Sequence, residues 1–161
     1  MWRRLTPKEQ RARRVLLGLI LTSGRDPGLK SLASRLQVSE SAAAKFLSAL
    51  ERKGVIVRDE SSKTIMAAYP LSTRPTQHRV TLKATGGPRY ALCAIDALGV
   101  GPAFDGGALV QSRCPQCRRP IRIRVEKNQI VAAQPASTVV WYALPKLLTK
   151  REPTVNLVES H

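Results

Sequence analysis

The chain has 161 residues, of which 43% are hydrophobic and 4% aromatic, so it suits one domain or two small ones with mainly aliphatic cores. Its net charge of +16 is spread evenly, with +8 on residues 1–70 and +8 on residues 71–161. A broad positive surface favours polyanions through counterion release, which makes nucleic acid a candidate partner. No apolar run approaches the roughly 20 residues of a membrane span, so we expect no membrane partner.

The first part of the chain predicts three helices. The capping-box pattern Thr6-Pro7-Lys8-Glu9 begins the first helix, and Gly24 ends it. Apolar residues at helical spacing predict a second helix from about Gly28 to Leu36. A third helix is predicted from the cap Ser39 to about Lys53, followed by glycine at a position that favours a left-handed conformation.

Two β-prone runs, Val55–Arg58 and Thr64–Tyr69, follow these helices and predict a hairpin. Three helices and a hairpin in this order are typical of a winged helix-turn-helix, here over residues 1–70. A winged helix indicates DNA binding, and the cations of the third helix available for it are Lys45, Arg52 and Lys53. The start of that helix has no Arg or Gln to read base edges, so a purely structural winged helix is an equal alternative.

A second architecture is predicted after a linker at residues 71–76, which lies in the proline- and hydroxyl-rich run Pro70–Thr76. Residues 77–145 form the predicted second domain, and residues 146–161 form a tail with no firm pattern. A short helix is predicted over Arg89–Leu98, with a loop over Gly99–Gly107. The predicted strands are His78–Lys83, Ala108–Gln111, Ile121–Val125, Gln129–Ala133 and Val139–Ala143. The predicted fold class is therefore α+β: a winged-helix-like domain followed by a small mixed or antiparallel sheet with a short thiol-bearing helix.

Cys93 and Asp96 lie three residues apart in the run Tyr90-Ala-Leu-Cys-Ala-Ile-Asp-Ala-Leu98. Because residues i and i+3 share one face of a helix, the predicted helix places the thiol beside the carboxyl group. The apolar residues between them predict partial burial, which favours the protonated acid. A soft sulfur can then hold a metal while the acid delivers a proton to a group bound to it. The same spacing also fits a small core cysteine with Asp96 as a local cap.

Cys114 and Cys117 form a C-x-x-C element between two predicted strands. Such an element can supply two thiolates to a metal, but a closed zinc site needs four ligands and no second C-x-x-C or H-x-x-H occurs. His78 and Cys93 would complete a site only through a coincidence of the fold. A redox pair is the other alternative, although the strand-then-helix context of thioredoxin-like proteins is missing. The odd number of cysteines favours free thiols in a reducing compartment, and we expect a cytoplasmic protein.

Taken together, the motifs of the second domain resemble the organomercurial (alkylmercury) lyase family over roughly residues 10–145. They are His78-Arg79-Val80, Tyr90-Ala-Leu-Cys93-Ala-Ile-Asp96, Ser112-Arg-Cys114, Gln134-Pro135 and Val139–Pro145. The Tyr-x-x-Cys-x-x-Asp element is the most specific part of the resemblance. The resemblance implies protonolytic cleavage of a carbon–mercury bond, with Cys93 as metal ligand and nucleophile and Asp96 as proton donor. It also implies a structural role for Cys114 and a winged helix that does not read DNA.

One departure from the family concerns its second metal-binding cysteine, which lies downstream in a Phe-Cys element. Val155 and Asn156 stand near that place here, and no cysteine occurs after Cys117. Cys117 could replace the missing thiolate if the C-x-x-C loop folds towards Cys93. One thiolate with one carboxylate holds mercury less well than two thiolates. If Cys117 cannot reach Cys93, turnover would therefore be poor or would depend on external thiols.

The function that we predict from the sequence is therefore an alkylmercury lyase-like enzyme that requires no cofactor. Its partners would be a small organometallic substrate and low-molecular-weight thiols, with mercury as the thiophilic metal. Two alternatives are a winged-helix DNA-binding regulator and a non-catalytic module that binds a thiophilic metal. Both would use the three cysteines, Cys93, Cys114 and Cys117.

Overall fold

The computed structural model describes residues 5–83, 85, 87–104 and 106–140. Its helices are α1 (Pro7–Ser23), α2 (Gly28–Leu36), α3 (Glu40–Arg52) and α4 (Ala94–Ala103). Its strands are β1 (Ile56–Arg58), β2 (Ile65–Ala68), β3 (Leu71–Ser72), β4 (Arg79–Leu82), β5 (Arg89–Ala91), β6 (Ala108–Arg113), β7 (Pro120–Glu126) and β8 (Gln129–Gln134). The predicted α+β class is confirmed. None of the helices in the described ranges is long and apolar enough to cross a membrane.

The first three helices lie where the sequence predicts, and local capping signals mark both ends of α1 and the start of α3. The Thr6 side chain accepts a hydrogen bond from the Glu9 backbone N–H, and the Glu9 carboxylate accepts one from the Thr6 N–H at 2.6 Å. Gly24 ends α1 in the left-handed conformation, with φ of 71°. Ser39 caps α3 by accepting from the Ala42 N–H. Each cap satisfies backbone groups that a helix end leaves unpaired, so these bounds need no tertiary information.

Glu9 also joins α1 to α3, because its carboxylate accepts a hydrogen bond from Lys53 Nζ at 2.6 Å. The hydrogen bond from Lys53 makes the largest contribution to lowering the pKa of Glu9 below its ordinary value of 4.5, and the Thr6 backbone N–H makes the next largest. A carboxyl group whose pKa is lower in the folded chain stabilises the fold above its unfolded pKa, and the benefit disappears as pH falls through the folded pKa.

We therefore expect Glu9→Gln to reduce the free energy of unfolding at neutral pH and to match the wild type once the pH falls well below 4.5. Denaturant unfolding measured across that range tests this, with Glu60→Gln on the exposed turn after β1 as control. A gap between Glu9→Gln and the wild type that stays constant with pH would contradict the linkage.

The eight strands form one sheet in the order β1-β2-β3-β5-β4-β6-β7-β8, and every neighbouring pair is antiparallel. The sheet is thus antiparallel and not mixed. Buried apolar side chains from α1, α2, α3, α4 and the sheet form one continuous core. The winged-helix arrangement of the three helices and the β1–β2 hairpin stays a prediction.

The predicted linker at residues 71–76 contains a strand, which corrects the sequence interpretation. β3 pairs with β2 on one side and with β5 on the other, and Leu71 is fully buried. The proline and hydroxyl residues in Pro70–Thr76 indicate a local preference for turns. They cannot predict that two of these residues pair as a strand with partners elsewhere in the sheet. The sheet therefore runs without a break across the predicted boundary, and the division into two domains stays a prediction.

The thiol-bearing helix begins later than the sequence predicts. Residues Arg89–Ala91 form β5, and α4 occupies Ala94–Ala103, so half of the predicted loop over Gly99–Gly107 is helical. Close packing explains the helical glycine Gly101, because a Cβ atom there would lie 2.9 Å from the Cβ of Ala108. Tertiary packing of α4 against β6 thus overrides the low helix propensity of glycine.

The remaining strand predictions are confirmed within a few residues, including the alternation along β7. Ile123 and Val125 are buried under α4, while Arg122 and Arg124 are exposed. Val139 and Val140, which begin the last predicted strand, lie outside any strand. The rest of that run and the predicted tail, residues 146–161, lie outside the described residues.

Candidate active site and thiol turn

Cys93 lies at the junction between β5 and α4. Its backbone is extended, with φ of −142° and ψ of 178°, and it is the N-cap of α4. The Cys93 sulfur accepts a hydrogen bond from the Asp96 backbone N–H at 3.3 Å, and its carbonyl accepts from the Ala97 N–H at 2.9 Å. Serine, threonine, aspartate and asparagine are the usual residues at this position, so here a sulfur takes the role of a side-chain oxygen.

Asp96 is the third residue of α4 and is 2% exposed. Neither of its carboxyl oxygens has a hydrogen-bond partner within the described part of the chain. The positive end of the helix favours an acidic group in the first turn. Burial of a carboxyl group without a hydrogen-bond partner is nevertheless costly, so this position holds a polar group at the expense of stability.

Burial raises the pKa of the Cys93 thiol to about 11. The Asp96 backbone N–H opposes this shift, and the Asp96 carboxyl group adds to it. The thiol and carboxyl groups are thus close enough to influence each other, although they belong to the cap and first turn of the helix and not to its predicted interior. Cys93 as a residue is half-buried.

Three polar side chains border this end of the sheet, and local sequence patterns do not predict their meeting. Thr76 Oγ1 donates to the Ala91 carbonyl at 2.7 Å, two residues before Cys93. His78 Nδ1 lies 2.9 Å from Ser112 Oγ, across the β4–β6 pair. The sequence analysis considered His78 only as a possible metal ligand, and its contact with Ser112 joins residues 34 positions apart.

Cys114 and Cys117 lie in the turn that connects β6 to β7. Cys114 is half-buried and Cys117 is exposed. The turn is closed by two backbone hydrogen bonds of 2.9 Å, from Cys114 N–H to the Arg119 carbonyl and from Arg118 N–H to the Cys114 carbonyl. The backbone N–H groups of Cys117 and Gln116 lower the pKa of Cys114, and the Cys117 thiol contributes in the same direction.

Cys93 and the C-x-x-C turn lie at the same end of the sheet. β5 and β6 both run antiparallel to β4 between them, so Cys93 and the C-x-x-C turn follow strand ends that face the same way. Two strand spacings, about 10 Å, separate the backbones of β5 and β6. Among the described residues, no three His, Cys, Asp or Glu side chains gather closely enough to hold a metal ion. Cys117 therefore does not join Cys93 and Asp96 in this arrangement.

The cations that the sequence offers for nucleic-acid contact are in different environments. Lys45 and Arg52 are exposed on α3. Lys53 is engaged by Glu9 and has 21% of its side chain exposed. A nucleic-acid role for these three residues stays a prediction.

A family model described as alkylmercury lyase matches residues 71–154, just over half of the chain. Curated alkylmercury lyases from Bacillus cereus and Staphylococcus epidermidis are 34% and 32% identical over 88 residues. Those matches cover 54% of this chain and 38% of each relative. The alkylmercury lyase of Streptomyces lividans is 36% identical over 76 residues, which is 47% of this chain and 34% of the relative. The chain thus spans well under half the length of the curated relatives that it matches.

The fold has a solved counterpart in the crystal structure of the mercury-bound form of MerB2. The similarity has a TM-score of 0.72 at 26% sequence identity, and it covers 86% of this chain and 66% of that one. It therefore extends into the helical part that precedes the family-model match. The family model, the curated relatives and the solved structure all agree with the resemblance based on the Tyr-x-x-Cys-x-x-Asp element. This chain therefore belongs to the alkylmercury lyase family.

Proposed function

We propose that this protein cleaves a carbon–mercury bond, with Cys93 binding the mercury and Asp96 delivering a proton to the leaving carbon. The observation that carries the proposal is the buried Asp96 carboxyl group, which lacks a hydrogen-bond partner in the described residues and adjoins the half-buried Cys93. A buried group without partners costs stability, so its retention beside a thiol favours a chemical role.

The first step is ligand exchange at mercury. The Cys93 sulfur forms a bond to the metal, the original anionic ligand leaves, and the thiol proton leaves with it. Because burial raises the pKa of this thiol to about 11, the metal displaces a proton that the free protein retains at neutral pH. Sulfur suits this role since soft thiolate ligands select soft metal ions.

The second step is proton transfer. The Asp96 O–H bond breaks, the proton bonds to carbon, and the carbon–mercury electron pair becomes the new C–H bond. Mercury stays on Cys93 as a cation beside the Asp96 carboxylate, and a low-molecular-weight thiol can then remove it. Mercury is the substrate's metal throughout, and the scheme uses no resident cofactor.

The test is incubation with an arylmercury salt in thiol buffer, with the released arene measured by gas chromatography. In D₂O the arene should carry one deuterium at the former carbon–mercury position, as protonolysis requires. Cys93→Ala should reduce arene release to the level of thiol buffer without protein. Release that survives Cys93→Ala unchanged contradicts the proposal.

We also propose that α1–α3 and the β1–β2 hairpin are a winged-helix-like unit with a structural role. Support comes from contacts that engage the unit's polar groups with other parts of the protein or with each other. Arg89 on β5 donates to the Leu21 and Thr22 carbonyls at the end of α1, which a cation there also stabilises through the helix dipole. Lys53, one of the predicted nucleic-acid contacts, is paired with Glu9.

A further inference from the structure

The C-x-x-C turn is a thiol pair that the proposed chemistry at Cys93 does not use. It lies at the tip of the β6–β7 hairpin, at the same end of the sheet as Cys93. Cys117 is exposed and Cys114 is half-buried, so an incoming ion can reach the pair from solvent.

The backbone holds this turn in a defined shape. Cys114 donates its N–H to the Arg119 carbonyl and accepts at its own carbonyl from the Arg118 N–H, both at 2.9 Å. Arg118 adopts a left-handed conformation, with φ of 60°, to close the loop. The closed loop thus keeps the two cysteines within one short turn, three residues apart, where one metal ion can bridge them.

The number of ligands decides which metal the turn fits. A closed zinc site takes four ligands, and in the described ranges no third His, Cys, Asp or Glu side chain accompanies the pair. Soft thiolates select soft ions, and a nearly linear two-coordinate ion is satisfied by two sulfurs. Mercury(II) is such an ion, and it is the inorganic product of the cleavage proposed above.

We infer that Cys114 and Cys117 form a second thiophilic-metal site, which takes up the mercury(II) left on Cys93 after cleavage. The choice of mercury as cargo rests on the proposed function, whereas the two-thiolate site itself does not. The transfer is ligand exchange without oxidation or reduction. An external thiol first binds the mercury on Cys93 and gives its proton to the Asp96 carboxylate. The bonds from mercury to Cys93 and to that thiolate then break, two bonds to Cys114 and Cys117 form, and the two displaced protons go to the Cys93 and external thiolates.

The experiment loads the protein with mercuric chloride alone, challenges it with an excess of glutathione, and counts retained mercury by native mass spectrometry. Wild type and Cys93→Ser should each keep about one equivalent, since a chelating dithiol outcompetes a monothiol. The double variant Cys114→Ser/Cys117→Ser should lose at least about tenfold in retention, and each single serine variant should resemble it. Circular dichroism confirms that the exposed turn variants remain folded.

Retention that follows Cys93 and ignores the C-x-x-C pair would overturn the inference. Tight binding of one zinc ion by the same pair would also overturn the inference. The absorption spectrum of the cobalt-substituted protein would then show tetrahedral coordination. Because the assay uses mercuric chloride and no organomercurial, its result is independent of carbon–mercury cleavage. Absence of arene release would therefore count against the proposed function while leaving this result intact.

Discussion

Asp96→Ala is expected to lower the rate of carbon–mercury cleavage at least about 100-fold, because loss of a positioned proton donor typically costs two to four orders of magnitude. The same substitution is expected to raise the free energy of unfolding by about 1 kcal/mol. An unpaired buried polar group carries a desolvation penalty of about 1–3 kcal/mol, which the substitution removes. Part of this gain in stability is offset because the substitution also removes an acid from the first turn of α4. Activity and stability should thus change in opposite directions.

Asp96→Asn is the matched control. It keeps the shape and a polar buried group but has no acidic proton, so cleavage should fall as in Asp96→Ala without the gain in stability. Single-turnover arene release and urea unfolding measure the two effects separately. If Asp96→Ala unfolds more easily than the wild type, the carboxyl group has a stabilising partner and the argument for a proton donor loses its basis.

Leu71→Ala is expected to lower the free energy of unfolding by about 2–5 kcal/mol, the usual cost of truncating a fully buried leucine. Leu71 lies on β3, between β2 and β5, where its side chain belongs to the continuous core. The lost side chain leaves a cavity that the sheet on both sides cannot easily fill. Chemical denaturation monitored by far-UV circular dichroism measures the change.

Leu109→Ala is the control for this prediction, since it removes the same atoms from an exposed position on β6. Leu109 is 40% exposed, and its truncation should cost less than about 1 kcal/mol. If residues 71–76 were a solvated linker, Leu71→Ala would be as mild as Leu109→Ala. Equal effects of the two substitutions would contradict the continuous sheet.

The candidate site illustrates how far local patterns reach. The spacing of Cys93 and Asp96 predicted a thiol next to a carboxyl group, and the two groups are neighbours. Their positions on the helix were predicted incorrectly, because Arg89–Ala91 form strand β5 and Cys93 is therefore the N-cap of α4. A short apolar run fits a buried helix or a strand equally well by periodicity, and the pairing of β5 with β3 and β4 decides between them.

The sequence by itself determined the bounds of α1, α2 and α3, the alternation along β7, and the family. These depend on interactions within a few residues, such as the Thr6–Glu9 capping box, or on short motifs such as Tyr-x-x-Cys-x-x-Asp. Only the tertiary structure decided that residues 71–72 form a strand, that Gly101 lies within a helix, and that Cys93 and the C-x-x-C turn share one end of the sheet. Strand pairing and close packing join residues that are far apart in the chain, and the structural preferences of single residues do not predict those partners.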